Sequence, residues 1–271
     1  MSVFTAIILG AVQGLTEFLP VSSSGHLVLL QKIFGISEPA LFFDTMVHIG
    51  TLAAVLAVLW QDIWGILRRL IQPLTAYLII ATISAVIFAL VFKKTIEAAF
   101  ESGKFLGFAF LLTTALLVIA ELLSRRACTD KGLKKAEGMN WLDALIIGLL
   151  QAIAIIPGVS RSGATISGAL SRRLDRDFAA RFSFLLSIPA ILGALVLQLK
   201  DLLHSGDEAA GSIGAAAIIA GTASAAVVGF IAVRLMLKII REKSLFGFAV
   251  YTGVLGLLVL VDQFAVHLVF R

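Results

Sequence analysis

Glu17 lies one helical turn after Gln13 inside an apolar run, so the two side chains share a helix face. A carboxylate in such a setting is costly unless it is paired, ligated or protonated. The pair could hold a hard divalent cation through oxygen ligands, hold a proton, or form a Gln–Glu hydrogen bond between helices. After Pro20 comes the polar cluster Ser22-Ser23-Ser24-Gly25-His26. One serine is enough to cap a helix. The remaining hydroxyls, with His26 three residues beyond Ser23, have the composition of a serine nucleophile beside a base. A second polar cluster, Ser160-Arg161-Ser162-Gly163-Ala164-Thr165, follows Pro157-Gly158 and carries an arginine. A guanidinium fork matches phosphate oxygens bidentately. Ser160, Ser162 and Thr165 can donate to the same oxygens, Gly163 leaves room for close backbone approach, and the amides opening a helix attract anions. Arg161 could also pair with Glu17, and the two roles are compatible in a resting state. Acid, base, nucleophile and anion clamp together make up the chemistry of phosphoryl transfer, which is mostly positioning and charge neutralisation.

The elements that position these residues are those of a bilayer protein. Of 271 residues, 59% are hydrophobic and 14% charged, and the mean hydropathy is +1.02. Soluble domains run about 45–50% apolar and about 25% charged, so this composition excludes a soluble enzyme. Long continuous apolar runs exclude an outer-membrane barrel. The single cysteine, Cys128, excludes an intramolecular disulfide. Six segments are long enough to span: 41–60, 73–92, 105–123, 178–199, 213–237 and 245–269. Two further stretches, 3–34 and 141–170, are each two short apolar halves around a polar break and are expected to be re-entrant helical hairpins. The N-terminal run lacks a basic segment before it and is expected to be retained.

Shifting the chain by 138 residues aligns the two breaks: Gly10 with Gly148, Gln13 with Gln151, Val21-Ser22 with Val159-Ser160, and Ser24-Gly25 with Ser162-Gly163. Six of eighteen aligned positions are identical, where about one is expected from ordinary residue frequencies. The expected fold is therefore an all-α polytopic membrane protein with two repeats, 1–123 and 141–271, joined by a cytoplasmic linker, 124–140. Each repeat is a re-entrant hairpin plus three spans. An odd number of spans inverts the second repeat and brings the breaks face to face near the midplane. One side carries Arg68, Arg69, Arg125, Arg126, Lys131, Lys134, Lys135, Arg172, Arg173, Arg176, Lys238, Arg241 and Lys243; the other carries Lys32, Lys93, Lys94, Lys104, Lys200 and Arg271. The positive-inside rule then puts the first side in the cytoplasm and both termini outside. Asp44 and His48, one turn apart in the first span, could support the site residues from behind, or pair with each other or with a neighbouring helix. Arg181 and Arg234 are expected to snorkel, and Asp201, His204, Asp207 and Glu208 to form a solvated loop.

The stretch Gln13-Gly14-Leu15-Thr16-Glu17, continuing through Pro20 to His26, resembles the first signature of the bacterial undecaprenyl-diphosphatase (bacitracin-resistance) family. Pro157 to Thr165 is similar to its second signature, and Phe182-Ser183-Phe184-Leu185-Leu186-Ser187-Ile188-Pro189 to a further family stretch. The resemblance implies hydrolysis of undecaprenyl diphosphate to undecaprenyl phosphate and phosphate, which recycles the carrier lipid for cell-wall synthesis. It implies a multi-pass protein of the bacterial plasma membrane with its site opening on the outer side, and a divalent cation, Mg2+ or Ca2+. Carried onto this chain, it makes Glu17, Ser23, His26 and Arg161 the catalytic group. Ser22, Ser24, Ser160, Ser162, Gly163 and Thr165 become substrate-binding, and Gln13 and Glu17 metal-binding. The family has Glu or Gln at the leading position; Gln13 leaves this chain one carboxylate. No nucleic-acid partner is expected, and a homodimer is compatible. Because broken helices at the midplane also serve transporters, the alternative is a flippase of undecaprenyl phosphate or another anion.

Overall fold

The computed structural model describes residues 1–36, 41–92, 105–130, 133–205 and 213–270. Lys93, Lys94, Lys104, Lys131, Asp207, Glu208 and Arg271 lie outside the described residues, as do the side chains of Lys200, Asp201 and His204. The described chain is helical, with one isolated bridge, Lys134 to Leu174.

The first hairpin is α1 (Val3–Phe18) and α2 (Ser23–Ile33). Pro20 disfavours helical backbone at Leu19, which turns extended (φ −72°, ψ 144°) and ends α1. Ser22 restarts the chain as N-cap of α2, its hydroxyl accepting from Gly25 N at 3.2 Å. Next come α3 (Leu41–Val58), α4 (Trp60–Arg68), α5 (Pro73–Val91) and α6 (Leu106–Asp130). The second hairpin is α7 (Trp141–Ile153) and α8 (Arg161–Ser171), with Ser160 capping α8. The chain continues as α9 (Arg176–Ser205), α10 (Ala215–Glu242) and α11 (Phe246–Val261). Five helices are long and apolar enough to cross a membrane, and the bent α3–α4 pair makes a sixth. A polytopic membrane protein is therefore borne out.

Three details differ from the sequence expectation. The first span ends at Val58, and the chain bends by 74° into α4 instead of entering a loop. Helix α4 exposes Trp60, Trp64 and Leu67 along one side, the pattern of a helix lying in the membrane interface. Helix α6 continues to Asp130 rather than ending at 123, helped by the Arg125–Glu121 pair one turn apart. The basic residues at one end are not simply solvated. Glu121 accepts from Arg125 Nε, Arg176 Nη2 and Leu245 N, while Asp143 takes Lys134 Nζ and Arg172 Nε. Arg181 bridges Asp62 and Asp177 rather than snorkelling. Arg234 stacks its guanidinium over Phe230.

Helix contacts come in matched pairs. The bounds of α2, shifted by 138 residues, fall on those of α8. Contacts α1–α2, α1–α10 and α3–α10 have counterparts α7–α8, α7–α5 and α9–α5. Thr114 and Thr252, themselves 138 residues apart, share a 2.8 Å hydrogen bond where α6 meets α11.

Small residues let these helices approach closely. A Cβ on Gly10 of α1 would stand 2.1 Å from the Gly221 carbonyl oxygen of α10. Gly10→Ala is therefore expected to cost about 1–3 kcal/mol, read as a lower unfolding temperature in detergent. Gly247→Ala is the control, since nothing lies within 4 Å of a Cβ there. Equal midpoints for the two variants would show that the α1–α10 contact is not tight.

Candidate functional site

The two breaks meet at Glu17. Its side chain is 6% exposed, and α1 aims it at the N-terminus of α8. Oε1 accepts from Arg161 Nη2 at 2.7 Å. Oε2 accepts from Gln13 Nε2 at 2.9 Å and from Ser23 Oγ at 2.5 Å. His48 Nε2 of α3 stands 3.8 Å from the same oxygen. Arg161 is the first residue of α8, and its Nη1 donates to the Ser187 carbonyl at 3.2 Å, two residues before Pro189 in α9. One carboxylate thus carries a serine hydroxyl on one oxygen and a guanidinium on the other. A serine donating to a carboxylate is set to lose its proton there, and a guanidinium beside it is a ready anion site.

His26 is elsewhere, which corrects the expected Ser23–His26 pair. Ser22 takes a left-handed backbone (φ 74°), and its carbonyl accepts from His26 N and His26 Nδ1 at 3.2 and 2.7 Å. This folds the imidazole back over the cap. Its Nε2 lies 2.7 Å from the hydroxyl of Tyr251 on α11. The rings of His26 and Tyr251 stack at an interplanar angle of 8°, and Phe110 of α6 meets His26 edge-on. The side chain that Ser23 Oγ does reach is the Glu17 carboxylate.

The hydroxyls expected to bind substrate join the two breaks to each other and to neighbouring helices. Ser24 Oγ accepts from Gly158 N of the opposite break at 3.4 Å, and Ser162 Oγ donates to the Leu19 carbonyl at 2.8 Å. Ser160 Oγ caps Gly163 N, while Ser160 N donates to Thr113 Oγ1 of α6 at 3.0 Å. A Cβ on Gly163 would lie 3.4 Å from the Thr113 methyl. Thr165 Oγ1 donates to the Arg161 carbonyl and lies 2.6 Å from Ser183 Oγ of α9. Tyr251 is the addition that sequence reasoning missed. His48, singled out with Asp44 in the sequence, lies on α3 near Glu17 with Nδ1 donating to the Asp44 carbonyl, while the Asp44 carboxylate is taken by Gln31.

The profile of a family described as "Bacitracin resistance protein BacA" matches residues 6–258. The chain belongs to the BacA family. It is 46% identical over 265 residues to an undecaprenyl-diphosphatase of Carboxydothermus hydrogenoformans, covering 98% of this chain and 99% of that one. It is 44% identical to undecaprenyl-diphosphatase 3 of Bacillus cereus, covering 97% and 98%. It is 38% identical over 283 residues to an undecaprenyl-diphosphatase of Methanosphaera stadtmanae, covering 96% and 98%. In this BacA-family chain, Gln13 and Glu17 are the residues that could hold a cation. Their oxygens suit a hard ion, and Gln13 Oε1 is buried without a hydrogen-bond partner. Among the described residues no group of three His, Cys, Asp or Glu side chains could hold a metal. Water and substrate phosphate would have to complete the ligand set.

Proposed function

We infer that this BacA-family protein is an integral membrane phosphatase that hydrolyses undecaprenyl diphosphate to undecaprenyl phosphate and inorganic phosphate. Its near full-length similarity to undecaprenyl-diphosphatases supports the reaction. The observation that carries the site is the Glu17 carboxylate, which holds Ser23 Oγ and Arg161 Nη2 on its two oxygens.

Arg161 turns its fork to the terminal phosphoryl group. Ser23 Oγ attacks phosphorus as its proton passes to Glu17 Oε2, and undecaprenyl phosphate leaves. Water, giving its proton to His26 Nε2, then hydrolyses the serine phosphate, and Ser23 recovers its hydroxyl hydrogen from Glu17 as phosphate leaves. Gln13 and Glu17 would hold the Mg2+ or Ca2+, whose chemistry is to neutralise diphosphate charge. The hydroxyls of Ser22, Ser24, Ser160, Ser162 and Thr165 lie close to Ser23 and Arg161 along the chain, and they would exchange protein partners for phosphate oxygens. The matched helix contacts support an inverted repeat, and the basic residues around Glu121 and Asp143 support that end as cytoplasmic. The termini and the site would then open to the outer side of the plasma membrane.

The test is phosphate release from undecaprenyl diphosphate by purified protein in detergent, where no gradient exists to drive transport. Release by the wild type, trapping of labelled phosphate on Ser23, and loss of both in Ser23→Ala are expected. Wild-type turnover by Ser23→Ala would favour direct attack by water.

A further inference from the structure

His26 belongs to the first break yet makes no hydrogen bond or ion pair with the Glu17 carboxylate, and it is held between its own cap and a tyrosine from the far end of the chain. The Ser22 carbonyl can only accept, so Nδ1 of the imidazole carries a hydrogen. In the neutral ring Nε2 then presents a lone pair, and the Tyr251 hydroxyl 2.7 Å away donates to it. The Tyr251 ring lies parallel to the imidazole with centroids 5.7 Å apart, and the Phe110 ring meets it at 84° with centroids 5.6 Å apart. His26 is 8% exposed, whereas Tyr251 is 48% exposed on the outer face of α11. A tyrosine hydroxyl away from water needs a hydrogen-bond partner, and His26 Nε2 is the one it has turned to.

The repeat carries the same inference independently. Tyr251 and Thr113 occupy equivalent places under the 138-residue shift, and each is followed by one of the paired threonines, Thr252 and Thr114. Thr113 of α6 receives Ser160 N, the cap of the second break. Tyr251 of α11 holds His26, whose Nδ1 binds the Ser22 carbonyl at the cap of the first break. The last helix of each half therefore braces the break of the other half. In one copy the brace reaches a backbone amide directly; in the other it acts through an imidazole.

We propose that Tyr251 is a positioning residue of the phosphatase: its hydroxyl and ring keep the imidazole turned to the Ser22 carbonyl, which fixes the Nδ1–H tautomer and leaves Nε2 as its one exchangeable nitrogen. This rests on the phosphatase reading for its kinetic consequence but not for its structural one. Any proton that His26 gives or takes at Nε2 passes the Tyr251 hydroxyl, or a phosphate oxygen that has displaced it.

The experiment is NMR of the full-length protein carrying 15N-labelled histidine rings in detergent, with the His26 signals assigned by their loss in His26→Gln. Wild-type His26 is expected as the Nδ1–H tautomer alone. Tyr251→Phe, which keeps the stacking ring, is expected to mix the tautomers. Its kcat on undecaprenyl diphosphate should fall about tenfold, with KM within about twofold, as for loss of one hydrogen bond felt at the reacting group. A wild-type His26 in the Nε2–H tautomer overturns the proposal even if Tyr251→Phe does not fold. So does a Tyr251→Phe enzyme with wild-type kcat. A wild-type protein that releases no phosphate but shows the Nδ1–H tautomer would sink the phosphatase reading and leave the brace standing.

Discussion

Arg161→Lys is expected to lower kcat/KM for undecaprenyl diphosphate about 100-fold, through the loss of one charge-assisted hydrogen bond of about 1.5–3 kcal/mol. The guanidinium makes two bonds in different directions, Nη2 to Glu17 at 2.7 Å and Nη1 to the Ser187 carbonyl at 3.2 Å. A planar fork supplies both from one rigid group, and its paired parallel donors, which an ammonium lacks, can grip a phosphoryl group on two oxygens. Lysine keeps the charge opposite Glu17, so the buried pair survives and the unfolding temperature in detergent should change little. That separation makes the variant informative. Kinetics of phosphate release beside a thermal melt would show whether the fork or merely the charge matters, and near-normal turnover would remove Arg161 from the anion clamp.

Much of this arrangement is legible in the sequence because each feature has a local physical cause. Pro20 and Pro157 must interrupt helices, serines must cap the helices that resume beyond them, and the 138-residue match says that the two interruptions are one device used twice. Gln13 and Glu17 share a face by helical spacing, and a Glu17–Arg161 pair becomes available once the breaks are set against each other. The parts that are not legible depend on dihedral angles and distant packing. Ser23 and His26 are three residues apart, yet the left-handed φ of Ser22 turns the imidazole back onto its own cap. Tyr251 lies 225 residues from His26 and looks in the sequence like an ordinary interfacial aromatic. The bend after Val58 has no proline or glycine to announce it.

The two breaks differ at the positions that the 138-residue shift sets opposite each other, and the differences suit one site rather than two. Opposite Glu17 the second copy has Ile155, opposite His26 it has Ala164, and opposite Ser23 it has Arg161. Two carboxylates facing each other in a low-dielectric junction would repel, whereas a carboxylate facing a guanidinium attracts. Gln151 falls opposite Gln13 under the same shift. It keeps the amide of Gln13, but with Ile155 one turn on it has no carboxylate to donate to, and both its side-chain polar atoms are buried without a partner.

Glu17→Gln is expected to reduce kcat about 1,000-fold, within the range attributed to a positioned general base. The amide cannot accept the Ser23 proton, although it preserves the shape of the site. The same change leaves Arg161 buried opposite a neutral group, a loss of about 3–5 kcal/mol when one partner of a buried pair is removed. Lower activity alone would therefore not separate chemistry from folding. The pair Glu17→Gln with Arg161→Gln does separate them. Removing both charges together relieves the unpaired guanidinium, so the double variant should regain much of the unfolding temperature lost by Glu17→Gln. It should regain no activity, because neither the proton acceptor nor the anion clamp returns. Recovery of turnover along with stability would mean that Glu17 and Arg161 only tie the two breaks together, and that the phosphoryl chemistry lies on other residues.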